Sequence, residues 1–126
     1  MAGAAFFTGC LGADEEPRPA EGPARDIARV VERLERATAA GDFETVCDDL
    51  FTAAARERAG GDDCGRLSRS AGEGIARPRI EIERIEIRAD QARVEVLTRA
   101  AGQAEVPAQL ELRRERGEWR VEALGG

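Results

Sequence analysis

The side chains in this sequence that could form covalent bonds are three cysteines, Cys10, Cys47 and Cys64. The sequence contains no histidine and no tyrosine. Zinc sites are built from closely spaced Cys and His, so Cys47 and Cys64, with 16 residues between them, do not predict a metal site. Ser68 and Ser70 have no His or Lys in the chain to activate them, so the sequence does not predict nucleophilic catalysis. No cofactor is expected either.

Cys10 follows a short apolar segment at the N-terminus. The preceding residues, Phe7, Thr8 and Gly9, resemble the lipobox of a bacterial lipoprotein signal peptide, in which a small residue precedes a Cys that receives diacylglycerol. Phe7 departs from the usual Leu, and the apolar run is at the lower limit for a signal, so we expect the true start to lie upstream. The alternative is an apolar N-terminus with an incidental Cys.

We interpret residues 1–10 as a partial lipoprotein signal that anchors the protein to the outer face of the bacterial cell membrane. Residues 11–23 are acidic and rich in proline, with little apolar content, and are expected to form a disordered tether. Residues 24–126 are long enough for one domain with a single core. No other contact with the membrane is expected, because no run approaches the ~20 apolar residues of a spanning helix.

Cys47 and Cys64 remain as a pair once Cys10 is assigned to the anchor. Outside the cytoplasm disulfides persist, so an extracytoplasmic location predicts a bond between these two residues. A disulfide that closes a loop of this length contributes roughly 3 kcal/mol by the chain-entropy model. The alternative is that Cys47 is a small core residue on an apolar helix face and Cys64 is a free thiol.

Residues 23–70 are expected to form helices that cover one face of a sheet. The first helix is predicted from Pro23 to Ala40, because Pro favours the first turn and apolar residues recur on one face. That face consists of Ile27, Val30, Val31, Leu34 and Thr38. Gly41 ends this helix and Asp42 can cap the next one. The apolar face of the second helix consists of Phe43, Val46, Cys47, Leu50 and Phe51.

Two shorter helical segments are expected before the sheet. Thr52 can cap the first of them, and Gly60-Gly61 would end it. The second would follow the two glycines and extend through Ser70, before a connection that contains Gly and Pro.

Apolar and polar residues alternate from Arg79 to Leu124, which predicts four antiparallel strands with one buried face. The inward positions are Ile80, Ile82, Ile85, Ile87, Ala92, Val94, Val96, Thr98, Val106, Ala108, Leu110, Leu112, Trp119, Val121 and Ala123. Ile82 and Ile85 are out of step with each other, so we expect a β-bulge near Glu83–Arg84. The alternative at this point is that one strand ends and another begins.

The composition excludes some classes of function. The net charge is −6 and only 4% of residues are aromatic, with no basic stripe, so nucleic-acid binding is not expected. All 19 basic residues are arginine, and Ala and Gly are abundant, which indicates coding from a GC-rich bacterial genome. Arginine content alone is therefore weak evidence for recognition of phosphate or carboxylate.

The order of these elements resembles the nuclear transport factor 2-like superfamily, also called SnoaL-like or ketosteroid-isomerase-like. The resemblance lies in Ala40-Gly41-Asp42, Cys47, Cys64 and Gly117-Glu118-Trp119-Arg120-Val121. It implies an α+β fold in which N-terminal helices pack on a curved four-stranded antiparallel sheet, forming a cone with an apolar pocket. Many members are small bacterial lipoproteins or secreted domains of unknown role.

The resemblance also implies an enzyme hypothesis. Ketosteroid isomerase uses a carboxylate base with an oxyanion hole of Tyr and protonated Asp, and related dehydratases use His, whereas this chain has neither Tyr nor His. The strand carboxylates fall opposite the apolar positions and should face solvent. No catalytic residue of the superfamily can be carried over, so we expect a non-catalytic domain. The alternative is an isomerase, cyclase or dehydratase-type enzyme with a carboxylate base in the cone pocket.

Phe43, Phe51 and Trp119 are the large side chains available for a pocket mouth, and they are also consistent with an ordinary core. The expected partner is a small apolar ligand or another protein. A homodimer formed through the sheet, as in many members of the superfamily, is a further expectation. The alternating charges of the outer face argue against a large apolar interface.

Overall fold

The computed structural model describes residues 22–125. Cys10 with the predicted lipoprotein signal, and nearly all of the predicted tether, lie outside the described residues. The helical half consists of α1 (Pro23–Ala40), α2 (Phe43–Thr45) continuing into a π-helical turn (Val46–Leu50), α3 (Ala53–Arg58), a 3-10 turn (Gly61–Asp63) and α4 (Cys64–Ala71). No helix in the described part of the chain is long and apolar enough to cross a membrane.

Helix α1 has the predicted boundaries. Its buried face is formed by Ile27, Val31, Leu34 and Ala37. Gly41 follows the helix with φ of 73°, and its N–H donates to the carbonyl of Thr38. Glycine adopts this left-handed conformation at little cost, so the chain can turn sharply here and start α2.

The two short helices also form where the sequence predicts them. Thr52 caps α3, because its hydroxyl oxygen accepts a hydrogen bond from Ala55 N at 3.0 Å. The 3-10 turn and α4 then follow the glycine break, and α4 extends one residue beyond the predicted end at Ser70. The π-helical widening of the second helix was not predicted, since Val46, Cys47 and Leu50 fit an ordinary helical face.

The C-terminal half is a four-stranded antiparallel meander in sequence order. The strands are β1 (Arg79–Arg88), β2 (Gln91–Arg99), β3 (Val106–Glu115) and β4 (Glu118–Gly125). The register of β1 against β2 shifts between Ile82 and Arg84, which confirms the predicted bulge. The bulge brings Ile82 and Ile85 onto the same face, opposite Val96 and Val94.

The core lies between the helices and the inner face of the sheet. Val94 pairs with Leu110 and Ala92 pairs with Leu112, and all four are buried on the same face as Val96, as predicted. The buried cluster consists of Ile27, Val31, Leu34, Ala37, Val46, Leu50, Ala92, Val94, Val96, Leu110, Leu112, Trp119 and Val121. Because burying one large aliphatic side chain contributes about 1.5–3 kcal/mol, this shared cluster holds the helical half on the sheet.

The last strand departs from the predicted alternation. Leu112 pairs with Val121 and Glu111 pairs with Ala123, so Glu122 is an extra residue in β4. The expectation that Ala123 faces inward is therefore wrong, because it lies opposite the outward-facing Glu111. The small side chain of Ala123 tolerates either face, which leaves the alternation without a visible break at the bulge.

The outer edge of β4 is covered by the chain that precedes α3. Thr52 N donates to the carbonyl of Val121 at 2.9 Å, and Phe51 forms a parallel bridge with the same residue. This contact fixes α3 against β4 and places the Thr52 side chain beside the β4 bulge.

Candidate functional site

Cys47 and Cys64 lie together between the two halves of the helical region. Their Sγ atoms are 1.94 Å apart, a bonding distance, and the Cα atoms are 6.1 Å apart. The two residues are 2% and 0% exposed. The π-helical turn presents Cys47, the first turn of α4 presents Cys64, and the Ser68 hydroxyl lies 3.9 Å from each sulfur. The pair therefore fastens α4 to the second helix.

The three aromatic residues proposed for a pocket mouth all contact the core. Trp119 is buried within the cluster, and the Arg114 guanidinium lies 4.8 Å from its ring centroid, within range of a cation–π contact. Phe43 and Phe51 are partly buried against the same cluster. None of the three lines either of the two open clefts described below, so their role at a pocket mouth stays a prediction.

The β4 bulge places one carboxylate where the sequence did not predict it. Glu122 is half-buried, and its Oε1 accepts a hydrogen bond from the Thr52 hydroxyl at 2.7 Å. Its other oxygen lies 3.6 Å from the Arg58 guanidinium, which also donates to the Glu122 carbonyl. Glu122 was expected on the solvent face. Only recognition of the bulge in β4 could have placed it, and period-two alternation carries no sign of that bulge.

The clearest electrostatic effects on carboxylates occur at the start of α2. The Thr45 hydroxyl donates to Asp42 at 2.7 Å and the Thr45 N–H at 3.2 Å, and these bonds lower the pKa of the Asp42 carboxyl. Arg69 of α4 donates to both oxygens of Glu44 at 2.9 Å and lowers the pKa of Glu44. A catalytic base would need a pKa raised toward neutral pH, and these two shifts are in the opposite direction.

The first open cleft, called here the sheet-end cleft, has a volume of about 420 Å³ and lies where β1 turns into β2, beside β3. Its charged lining residues are Glu86, Arg88, Arg93, Glu111, Arg113 and Glu122. Three acids and three bases balance one another, so this lining favours neither an anion nor a cation.

The second cleft, called here the arginine cleft, has a volume of about 630 Å³. It lies between the last turns of α1, the segment before β1 and the loop after β2. Its charged lining residues are Glu35, Arg36, Arg77, Arg79 and Arg99. Glu35 accepts a hydrogen bond from Ile80 N at 2.7 Å and lies 3.6 Å from Arg79 Nε, which fixes the start of β1 against α1. This grouping could not be predicted from the sequence, since its members come from three separate segments.

No group of three or more Cys, Asp or Glu side chains among residues 22–125 is arranged to hold a metal ion. The candidate sites among these residues are the buried Cys47–Cys64 pair, the Glu122 carboxylate held by Thr52 and Arg58, and two open clefts of different charge.

The sequence matches no family model and no curated protein sequence. Among solved structures it is similar to an NTF2-like protein of unknown function from Silicibacter pomeroyi, with 18% identity over 79% of this chain and 90% of that chain, and a TM-score of 0.61. An NTF2-like protein of unknown function from Shewanella baltica has 17% identity over 79% and 88%, with a TM-score of 0.59. A de novo designed NTF2 fold protein has 17% identity over 79% and 83%, with a TM-score of 0.55.

Helices laid over a curved antiparallel meander, with the core between them, define the cone class of α+β folds. The similarity to these solved structures identifies it more closely: the chain has the nuclear transport factor 2-like fold. At identities below 20% the likeness concerns the fold and assigns no activity.

Proposed function

We propose that this protein is a non-catalytic, lipid-anchored binding domain on the outer face of the bacterial cell membrane. The observation that carries the proposal is the buried Cys47–Cys64 pair at bonding distance. Disulfides form and persist in oxidising compartments. A pair of cysteines at bonding distance in the core therefore supports reading the sequence before Cys10 as a lipobox, because both features indicate a place outside the cytoplasm.

The non-catalytic part of the proposal is supported by the state of the carboxylates. An enzyme of this fold class needs a base that can reach a substrate and accept a proton. Glu122 is the half-buried carboxylate nearest the interior on β4, and its two oxygens are engaged by Thr52 and Arg58. With no Tyr or His in the chain, no oxyanion hole of the isomerase type can form around it.

The alternative is an isomerase, cyclase or dehydratase-type enzyme in which Glu122 is the base. The partial burial of the Glu122 side chain is the observation that favours the enzyme hypothesis. Glu122→Gln keeps the shape and the hydrogen bond from Thr52 but removes the base. If turnover of any substrate is found, this variant should abolish it under the enzyme hypothesis, while a binding domain should retain its ligand.

The anchor is tested by mass spectrometry of the protein produced in its own host from its native upstream DNA. We expect a mature N-terminus at Cys10 carrying a diacylglycerol. We also expect Cys47 and Cys64 to resist alkylation in the denatured protein until a reductant is added. Cys10→Ala should move the protein out of the membrane fraction, whereas the double variant Cys47→Ala/Cys64→Ala should leave it there. Unmodified Cys10 in the mature protein would contradict the anchor, and alkylation of Cys47 and Cys64 in the denatured, unreduced protein would contradict the compartment.

A further inference from the structure

The arginine cleft has a charge that contrasts with the rest of the protein. The chain as a whole carries a net charge of −6. Four arginines and one glutamate are the charged residues among those described that line this cleft, whereas three acids and three bases line the sheet-end cleft. Since arginine is the only basic residue in this chain, its presence alone decides nothing. What has to be explained is why positive charge is concentrated at this cleft in a protein with a negative net charge.

The arginines of the cleft differ in how they are paired. Arg79 lies 3.6 Å from Glu35, and Arg99 lies 3.5 Å from Glu105. The side chains of Arg36 and Arg77 form no ion pair or hydrogen bond with any of residues 22–125. Arg36 lies just before the last turn of α1, a turn that contains no basic residue, so the helix dipole does not account for it. The dipole does not act on Arg77 either, because Arg77 lies in the connection between α4 and β1.

Arg77 is also held in an unfavourable backbone conformation. Its φ is 49°, in the left-handed region, and it precedes Pro78. The two other non-glycine residues of the described chain with positive φ, Ala89 and Arg116, sit in two-residue turns between strands, which require that conformation. Arg77 lies in the connection between α4 and β1, outside any such turn, and backbone strain of this kind is often kept where it positions a functional side chain.

The surrounding chain keeps Arg77 at the lip of the cleft. Ala101 N donates to the carbonyl of Ala76 at 2.8 Å, which joins the segment before β1 to the loop after β2. Pro78 restricts the backbone on the other side. The uncharged walls consist largely of small side chains, including Ala39, Pro78, Ala100 and Ala101. A volume of about 630 Å³ is in the range of small-molecule sites.

We propose that the arginine cleft binds a small organic anion, a carboxylate or a phosphate monoester carried on a short apolar chain. Arg36 and Arg77 pair with the anionic group, since a guanidinium fork matches both kinds of oxyanion. The alanine and proline side chains contact the apolar part. The inference rests on the binding role proposed above and assigns that role a place and a class of ligand.

The test uses the full-length chain carrying Cys10→Ala, which prevents lipidation. Isothermal titration calorimetry measures binding of octyl phosphate, octanoate, octanol and inorganic phosphate. We expect saturable binding of the two anionic amphiphiles, at least about tenfold weaker binding of inorganic phosphate, and none of octanol. Amide chemical shifts in NMR should then change around residues 35–39, 77–79 and 99–103.

Two variants and a control assign the effect to the cleft. Arg36→Gln and Arg77→Gly together should weaken octyl phosphate binding about tenfold or more, because charge-assisted hydrogen bonds are lost. Arg88→Gln removes the same type of charge from an exposed position in the sheet-end cleft and should change the affinity less than twofold. Arg77→Gly alone should weaken binding without lowering the melting temperature, because glycine accepts the positive φ. If the role of Arg77 were purely structural, Arg77→Gly would lower the binding affinity and the melting temperature together.

Three outcomes overturn the inference. Octyl phosphate bound equally well by the double variant, or shift changes confined to another part of the protein, would remove this cleft as the site and leave the binding role intact. No saturable binding of either anionic amphiphile would remove the ligand class. Binding only to vesicles that contain phosphatidylglycerol, with none to octyl phosphate, would replace a small ligand with a membrane surface. The proposed anchor is judged separately, by the state of Cys10 and the two buried cysteines.

Discussion

The sheet and the segment that begins at its β4 edge are held in place by different forces. The inner face of β1–β4 is joined to α1 through large buried aliphatic side chains. The segment 51–71, called here the strap, contains α3, the 3-10 turn and α4, and its buried residues are small: Thr52, Ala55, Gly61 and Cys64. Individual polar contacts and the sulfur pair fix the strap.

The sheet and the strap are therefore vulnerable to different substitutions. Stability that comes from buried area is shared among many residues, so one substitution weakens the whole cluster. Stability that comes from single contacts is local, and losing one contact allows one segment to open while the remainder stays folded.

The largest effect is expected from Leu112→Ala in the sheet. Leu112 is 1% exposed, so removing its side chain should lower the free energy of unfolding by about 3–5 kcal/mol in urea denaturation. Leu124 lies on a neighbouring strand of the same sheet but is 62% exposed. Leu124→Ala should cost under about 0.5 kcal/mol. Similar losses in the two variants would show that the inner face is not the main source of stability.

Loss of the proposed bond between Cys47 and Cys64 should act mainly on the strap. The double variant Cys47→Ala/Cys64→Ala should lower the free energy of unfolding by about 3 kcal/mol. Hydrogen exchange should accelerate most at residues 61–71, while amides of β2 and β3 keep their order of protection. Cys10→Ala is the matched control and should leave both measurements unchanged. Uniform acceleration across the sheet and the strap would mean that the two regions unfold as one unit.

Much of this contrast was visible in the sequence. The inward rows of β2 and β3 were predicted residue by residue, because Val94, Val96, Leu110 and Leu112 are large and strictly alternating. The bulge in β1 was predicted because Ile82 and Ile85 are out of phase. Buried apolar patterns are repeated along the chain, so the signal accumulates over many residues.

The contacts of the strap and the composition of the clefts were not visible. The Thr52–Glu122 hydrogen bond joins residues 70 positions apart, through a bulge that Ala123 hides. The arginine cleft gathers Arg36, Arg77 and Arg99 from three segments, and none of them interrupts a pattern. Such groupings depend on where chain segments cross, which local periodicity does not encode.

A smaller effect is expected from Thr52→Ala in the strap. The Thr52 hydroxyl both accepts from Ala55 N and donates to Glu122, so its loss removes the α3 cap and one partly buried hydrogen bond. We expect a loss of about 1–2 kcal/mol in urea denaturation. Thr52→Ser keeps the hydroxyl and should recover most of that loss. Equal losses for Ala and Ser would assign the role to the methyl group and its packing.

The smallest effect concerns pH and the start of α2. The pKa of Asp42 is lowered in the folded state by hydrogen bonds from Thr45, so the folded protein favours the ionised form. This contribution is complete above the usual pKa of 3.8 and is lost as the pH falls through the lower folded pKa. In a plot of the free energy of unfolding against pH, Asp42→Asn should flatten the decrease in this free energy at acidic pH. Thr45→Val should flatten it in part, and no change in slope for either variant would contradict the assignment.

The two edges of the sheet have a consequence for how the protein behaves when crowded. Thr52 and Phe51 occupy the outer edge of β4, and the free edge of β1 is interrupted by its bulge and lined with charged residues. A strand from another molecule therefore meets an edge that is covered at Val121 in β4 and an edge that is bulged and charged in β1. Both features disfavour templated polymerisation into fibres, even though the strands are rich in the branched side chains that fibres favour.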